Sequence, residues 1–337
     1  MLRPFVLLAA LALTAPAGAQ VLPSFGGDRA GTAGFQFLKI PVDPRAAALG
    51  QNVAAHASDA SALFWNPALA AQGGRAEAAL AHTRYFADVQ MTYAAGYTSL
   101  RRSPVGPLTL GLSLHALDSG AMNVTDEFNP DGTGQTFRLV DLAVGLTAAQ
   151  ALTDLFSYGV TARYVREATA GVTAQTALAD LGVFYRVGET GVQLGVAIRN
   201  FGVTDAVPAG RLERRGQDGQ TVTETEFAGL APPTTFLLAA SYRPLRASRE
   251  HDLVLAAQLS NPNDNAERLG AAAEYTWNGL LTLRGGYQFG VDEASLPSAG
   301  LGLRVPGLGP EVRLDYGYNQ LDRLGAVHRV GVNVRLD

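Results

Sequence analysis

From about residue 76 to the C-terminus, apolar residues alternate with polar or small ones. The leucines at 108, 110, 112 and 114 stand at every second position, and the run from Val330 to Leu336 repeats the pattern. Side chains that recur at period two lie on one face of a β-strand. These runs predict fourteen strands, near residues 76–85, 88–98, 107–117, 137–148, 156–166, 176–187, 190–200, 234–243, 251–260, 267–277, 280–290, 297–305, 310–319 and 327–336.

The links between the predicted strands alternate in length. Those after even-numbered strands are brief, and Asn278-Gly279 is a strong hairpin signal. Those after odd-numbered strands are mostly longer and more polar, above all 118–136 and 200–233, although the first link, at Phe86 and Ala87, is short. Short turns on one rim and long loops on the other are typical of a transmembrane antiparallel β-barrel.

The two faces of the predicted strands differ in chemistry. One face carries Leu, Val, Ala and aromatic residues, and the other carries charges of both signs, which can pair inside a barrel lumen. The alternative is a soluble β-sandwich with the charges in solvent. Strands of about ten residues match the length that crosses a bilayer at a tilt, which favours the barrel. The predicted lumen charges are Arg163, Asp180, Arg186, Arg199, Asp252, Glu274, Arg284, Arg304, Arg313, Asp315 and Arg335.

Composition agrees with a barrel and excludes other classes. Charged residues make up 17% of the 337 residues, whereas about 25% is usual in soluble proteins. A net charge of -4 and a single lysine, Lys39, provide no basic platform for nucleic acid. The absence of cysteine excludes disulfides and thiol catalysis.

The first nineteen residues have the features of an export signal. Arg3 supplies a positive start, Phe5 to Leu13 an apolar run, and Ala17 to Ala19 a small-residue cleavage site. A buried N-terminal helix is the alternative, but it does not explain why the three features coincide. We therefore expect residues 1–19 to be a signal peptide.

Residues 20–75 do not follow the strand pattern. They are rich in Gly and Ala, with prolines that interrupt them and a short helix that ends near Pro67. Barrels of about eight strands are filled by side chains, whereas wider ones leave a lumen. We therefore expect residues 20–75 to form a plug, or hatch, inside a barrel of residues 76–337. A disordered tail is the alternative, but it has no reason to carry large aromatic residues. The predicted hatch residues are Phe64, Trp65, Asn66 and Pro67.

Several segments resemble a known family. The segments 31–40, 45–50 and 60–68 resemble the N-terminal signature of the PorV/PorQ family of outer-membrane proteins, and 314–318 and 324–330 resemble its closing hairpin. The resemblance implies a FadL-like barrel of fourteen strands with an N-terminal hatch, in the outer membrane of a Gram-negative-type bacterium. It also implies a link to the type IX secretion system. Within that system the family member PorV resembles a shuttle for exported cargo.

No pattern in the chain is typical of an enzyme. The five histidines are scattered at 56, 82, 115, 251 and 328, without the spacing of a metal site. No nucleophile elbow and no phosphate-binding glycine loop are present. We therefore expect no catalytic residue, no metal and no cofactor.

Two functions remain open. In the first, the protein is a component or cargo shuttle of protein secretion, and the loops 118–136 and 200–233 bind machinery or cargo. In the second, it is a FadL-like channel for hydrophobic small molecules, opened by movement of the hatch. A continuous apolar pocket above the hatch would favour transport, whereas a sealed lumen crossed by Arg–carboxylate pairs would favour docking. The predicted lumen charges favour docking, and the expected surroundings are outer-membrane lipid.

Overall fold

The fold is that of a computed structural model, which describes residues 30–100, 107–125, 127, 129–215, 221–248, 250–291, 296–307 and 309–336. The predicted signal peptide, residues 1–19, lies outside the described residues.

Fourteen of the strands form one closed antiparallel ring, in which neighbours in the chain are mostly neighbours in the sheet. The strands are β1 (Ala76–Arg84), β2 (Gln90–Leu100), β3 (Leu108–Asp118), β4 (Met122–Asn123), β5 (Thr136–Phe137), β6 (Leu139–Ala151), β7 (Phe156–Thr169), β8 (Val172–Arg186), β9 (Val192–Phe201), β10 (Ala209–Gly210), β11 (Leu212–Arg215), β12 (Thr221–Glu224), β13 (Thr235–Tyr242), β14 (His251–Pro262), β15 (Arg268–Trp277), β16 (Leu281–Phe289), β17 (Ser298–Val305), β18 (Glu311–Leu321) and β19 (Gly325–Leu336). The barrel wall omits β4, β5, β10, β11 and β12. The ring closes where β1 pairs with β19, from Ala76 opposite Leu336 to Arg84 opposite His328.

Each predicted strand overlaps one strand of the wall, so the predicted barrel of fourteen strands is confirmed. The bounds differ by a few residues, mainly at the ends near the long loops. The predicted strands 156–166 and 176–187 implied a longer link between them. That link is wrong, because β7 and β8 extend until only Ala170 and Gly171 join them. Both residues have a positive φ, 45° and 86°, as a two-residue hairpin turn requires.

The outward-facing side chains indicate that the barrel spans a membrane. Leu80, Leu146 and Val330 are 56%, 64% and 54% exposed, and many other leucines and valines share that face. A soluble sandwich would bury these side chains, whereas a barrel that spans a bilayer turns them towards lipid. The protein is therefore an outer-membrane β-barrel. Following the usual orientation, the rim with short turns is the periplasmic rim and the rim with long loops is the outer rim.

Residues 33–72, here called the plug, fill the lumen. The plug contains the 3₁₀ helices Gln36–Lys39 and Pro67–Gln72 and the α-helices Ala62–Trp65 and Pro44–Ala48, and a further 3₁₀ helix, Phe86–Asp88, lies between β1 and β2. Asp43 begins the Pro44–Ala48 helix, because its Oδ1 accepts a hydrogen bond of 2.7 Å from the Ala46 N–H. The plug starts beneath the outer loops, where the Gly34 N–H donates to the Ala231 carbonyl at 2.9 Å, and ends at the periplasmic rim.

Within the described residues, each helix is too short or too polar to cross a bilayer.

Glycines on the lumen face let the plug lie directly on the wall. At nine of them, on nine strands, an added Cβ would come within 3.0 Å of a plug atom. Cβ atoms do not approach other heavy atoms so closely, so a larger residue would displace the plug or the side chain it meets, most seriously where that neighbour is backbone. The nine, here called the glycine contacts, are Gly111, Gly159, Gly182, Gly195, Gly270, Gly286, Gly300, Gly317 and Gly331.

A methyl group at one of these positions should loosen the plug. In Gly286→Ala the new Cβ would stand 2.1 Å from the Leu49 carbonyl carbon, and backbone atoms there cannot give way easily. We expect a loss of about 1–3 kcal/mol of stability, typical of overpacking. The measurement is the temperature at which the folded band on a denaturing gel converts to the unfolded one. Gly285→Ala is the matched control, since its Cβ would meet only the Ser298 carbonyl oxygen at 3.9 Å. Equal losses in both variants would contradict this account.

Candidate functional site

Six charged side chains form an unbroken series of ion pairs from one part of the plug, through the wall, to another part of the plug. This charge chain is Arg45, Glu274, Arg284, Asp315, Arg313 and Asp59, in that order. The successive N–O distances are 2.8, 2.7, 2.6, 2.9 and 2.5 Å. Positive and negative groups alternate and are equal in number, so the charge chain is neutral as a whole.

The sheet brings the wall members of the charge chain together. Glu274 on β15 stands directly opposite Arg284 on β16. Arg284 then reaches Asp315 on β18 by passing over Gly302 on β17, where an added Cβ would stand 2.8 Å from both side chains. Gly302 therefore leaves the space through which two non-adjacent strands exchange an ion pair.

The predicted hatch aromatics lie at the centre of the lumen. Phe64 and Trp65 pack edge to face, with ring centroids 5.0 Å apart. The Arg199 guanidinium lies 3.8 Å from the Phe64 ring centroid, a cation–π contact. The Trp65 indole N–H donates to Asp43 Oδ2 at 2.8 Å. Burial, with the nearby charge of Asp59, raises the pKa of Asp43 to about 6.

Asn66 and Pro67, the other predicted hatch residues, join the plug to the wall. The Asn66 side-chain amide donates to the Ala54 carbonyl at 2.8 Å and to the Val183 carbonyl on β8 at 3.1 Å. Its Oδ1 accepts from the Ala68 N–H at 3.1 Å and begins the following 3₁₀ helix. Pro67 packs against Gly159, one of the glycine contacts.

A second buried ion pair lies beside an irregularity in the wall. The register between β8 and β9 shifts at Asp180, and Asn200 opposite it has a φ of 55°. Asp180 accepts a hydrogen bond from the Arg163 guanidinium and another, 2.7 Å long, from the Asn200 N–H. The carboxylate thus satisfies a backbone group that the shifted ladder leaves without a strand partner.

The predicted lumen charges fall into three groups. Those inside the lumen are Arg163, Asp180, Arg199, Glu274, Arg284, Arg313 and Asp315. Arg186 and Arg335 line the periplasmic mouth and are half-buried. Asp252 and Arg304 have the lumen parity, but their side chains are 45% and 48% exposed, so they are not enclosed with the other predicted lumen charges. Both stand at strand ends on the rim, where the wall no longer shields them.

Sequence reasoning missed the plug's own charges, Arg45 and Asp59, and one wall carboxylate, Glu77. Arg45 pairs with Glu274, Asp59 with Arg313, and Glu77 at the start of β1 with Arg335. The available signal was the presence of single charges in an Ala-rich segment that was expected to be buried. A buried charge needs a partner, so Arg45 and Asp59 had to meet opposite charges on the wall.

The outer end of the lumen contains an apolar cluster. There the wall presents Leu117, Val165 and Leu178 inwards, and Phe35 and Leu38 of the plug pack against them. The Phe35 N–H donates to Glu167 Oε2 at 3.1 Å. Asp264 accepts hydrogen bonds from Gln36 at 2.7 Å and Lys39 at 2.8 Å. Residues 33–40, here called the outer segment, thus occupy the apolar part of the lumen.

The cavities that remain in the lumen among the described residues are small, and polar side chains form much of their lining. One of about 190 Å³ opens at the periplasmic rim, and one of about 180 Å³ lies at the outer end. A larger depression of about 590 Å³ lies among Leu80, Leu301 and Val330 on the outer wall, which faces lipid. Within the described part of the chain, no continuous apolar pocket runs through the lumen.

The sequence matches no protein-family model and no curated protein. The fold is similar to solved structures. The toluene transporter TodX of Pseudomonas putida gives a TM-score of 0.60 at 12% identity, over 87% of this chain and 96% of TodX. The toluene transporter TbuX of Ralstonia pickettii gives 0.57 at 14% identity, over 87% and 96%. A FadL homologue of Pseudomonas aeruginosa gives 0.52 at 11% identity, over 88% and 99%.

Such low identities establish similarity of fold alone. The predicted FadL-like barrel with a plug is confirmed at that level. The narrower resemblance to PorV/PorQ has no sequence match behind it. The chain is therefore an outer-membrane β-barrel with a FadL-like fold.

Proposed function

We propose that the protein is an outer-membrane channel for small hydrophobic molecules, closed in this conformation by its plug. The observation that carries the proposal is the apolar cluster at the outer end of the lumen. Most of the lumen wall is polar or glycine, whereas Leu117, Val165 and Leu178 offer a surface that a hydrophobic ligand needs. The outer segment covers this surface, so its withdrawal would expose a binding site.

The two parts of the plug are held differently. The charge chain and all nine glycine contacts hold residues 41–72, and removing one member of a buried ion pair costs about 3–5 kcal/mol. The outer segment takes no part in the charge chain or the glycine contacts, and its ion pair between Lys39 and Asp264 leaves the Lys39 side chain 22% exposed. The outer segment therefore moves at the smaller cost, while residues 41–72 stay in place.

The similar structures agree with an apolar cargo. TodX and TbuX are described as toluene transporters. A fold hosts different functions, so this similarity supports the cargo class only together with the apolar cluster at the outer end of the lumen.

A second candidate function is docking of secretion machinery or exported cargo. The sealed lumen and its buried ion pairs favour it, as does the resemblance of the N-terminal segments to PorV/PorQ. A two-stranded hairpin of β11 and β12 separate from the barrel sheet, within the longest outer loop, would supply the docking surface. Arg211 before the hairpin and Glu224 at its end give this surface charges of both signs.

Locking the outer segment should stop transport. Ala33 and Ala231 are partners in a parallel bridge, and the chain has no cysteine of its own. We expect cells with the oxidised Ala33→Cys, Ala231→Cys variant to take up radiolabelled toluene no faster than cells without the protein. A reductant should restore uptake. Met122→Cys with Phe137→Cys is the control, because it joins β4 to β5 without involving the plug. Uptake that is unchanged by oxidation of the lock would contradict the proposal.

The charge chain should stabilise the closed barrel. Glu274→Gln deprives both Arg45 and Arg284 of their shared carboxylate. We expect a loss of about 3–5 kcal/mol, seen as a lower conversion temperature on the gel. Arg304→Gln is the control, because its exposed pair with Glu311 is worth at most about 1 kcal/mol. Similar shifts in both variants would show that the charge chain does not hold the plug.

Removing the hairpin should separate the two functions. Replacing residues 211–226 with a short Gly-Ser linker leaves the bridge between Ala206 and Leu230 at the base of the loop. If docking is the function, exported proteins that share a C-terminal domain should no longer co-purify with the barrel, while toluene uptake continues. If such proteins still co-purify, the docking candidate fails.

A further inference from the structure

The periplasmic mouth contains a polar cavity between the plug and the wall. Its volume is about 190 Å³, the space of roughly six water molecules at about 30 Å³ each. The plug contributes His56 and Gln72, and the wall contributes Arg186, Arg243 and Arg335. This mouth cavity lies at the opposite end of the lumen from the outer segment.

Two of the three arginines lack a strong carboxylate partner. Arg186 makes only long hydrogen bonds of 3.5 Å, to the Asp154 carbonyl and to Gln72 Oε1, and among the described residues no carboxylate lies within ion-pair distance of it. Arg243 has one carboxylate within reach, Asp252 at 3.9 Å, and both side chains of that pair are more than a third exposed. Such a pair contributes little.

The third arginine is already paired. Arg335 is bound by the Glu77 carboxylate and donates to the Ser58 carbonyl at 2.7 Å. The carboxylate that lines the mouth cavity, Asp59, is bound to Arg313 at the end of the charge chain. The positive charges of Arg186 and Arg243 therefore have no full compensation in the cavity wall.

His56 is a buried polar residue beside the mouth cavity. The residue is 4% exposed, and neither ring nitrogen has a hydrogen-bond partner among the described residues. Its backbone is held in place, because its carbonyl accepts from the Arg45 guanidinium at 3.1 Å. Burial, aided by the charge of Arg45, lowers the pKa of His56 to about 3, so the ring is neutral. Both ring nitrogens are enclosed by protein atoms, so the imidazole forms part of the cavity wall and adds neither a charge nor a donor to the cavity.

We propose that the mouth cavity binds a small oxyanion, a carboxylate or phosphate group, through Arg186 and Arg243. Guanidinium groups suit these anions because their N–H groups match two oxygens at once. The volume accepts the anionic group with only a few further atoms. The site does not depend on the proposed channel, since it opens to the periplasmic side while the plug stays closed.

The test is calorimetric titration of the full-length protein in a neutral detergent. Inorganic phosphate and succinate are the two probes, each titrated at low salt. We expect saturable binding of at least one probe, and the probe that binds identifies the anion class. Arg186→Gln and Arg243→Gln should each weaken the affinity about tenfold or more, the loss expected for one charge-assisted hydrogen bond.

Arg304→Gln is the matched control. It removes one positive charge from the same rim, but Arg304 pairs with Glu311 outside the mouth cavity, so the affinity should not change. Each variant is first checked for the gel conversion temperature of the unaltered protein, and Arg243, half-exposed at the rim, is the substitution least able to disturb folding. Absence of saturable binding for both probes, or equal weakening by Arg304→Gln, would overturn the proposal.

Discussion

Pairing of buried charge is the constraint on which the interior of this barrel depends. A ring of fourteen strands encloses a lumen that side chains from the wall do not fill. Filling it with the plug removes wall charges from water, and each such charge is costly unless an opposite charge meets it. The charge chain meets this condition because its two ends, Arg45 and Asp59, belong to the plug. The charges of the plug and those of the wall therefore neutralise each other.

The glycine contacts are the second part of that arrangement. Ion pairs between plug and wall require short distances, and Gly286 and Gly317 bring the plug backbone close enough to reach them. Gly302 serves the same end within the wall, by clearing the path between Arg284 and Asp315. Small residues and buried charges thus act together, since removing side-chain bulk at one position allows an ion pair at the next.

The distribution of these contacts divides the lumen into parts with different roles. Ion pairs and backbone contacts hold the middle of the plug. The outer end has an apolar cluster, which the outer segment covers. The periplasmic mouth is polar, and the positive charges of its arginines are not fully balanced by carboxylates. A channel needs one part of its plug to be mobile and the rest to be fixed. In the proposed channel, the outer segment over Leu117 and Val165, which takes no part in the charge chain, meets the first need, and the charge chain meets the second.

The sequence by itself determined the strands, their number and the chemistry of their two faces, because period-two alternation is a local property that each strand carries alone. The same alternation placed Arg284 and Asp315 on the lumen face of their strands. Only the tertiary structure decided that these two residues pair across β17, that Asp252 and Arg304 stay at the rim, and that Ala170 and Gly171 suffice to join β7 to β8. Pairing depends on register, barrel curvature and the path of the plug, which join residues far apart in the chain. The mouth cavity belongs to this second class, since its arginines come from three separate strand ends.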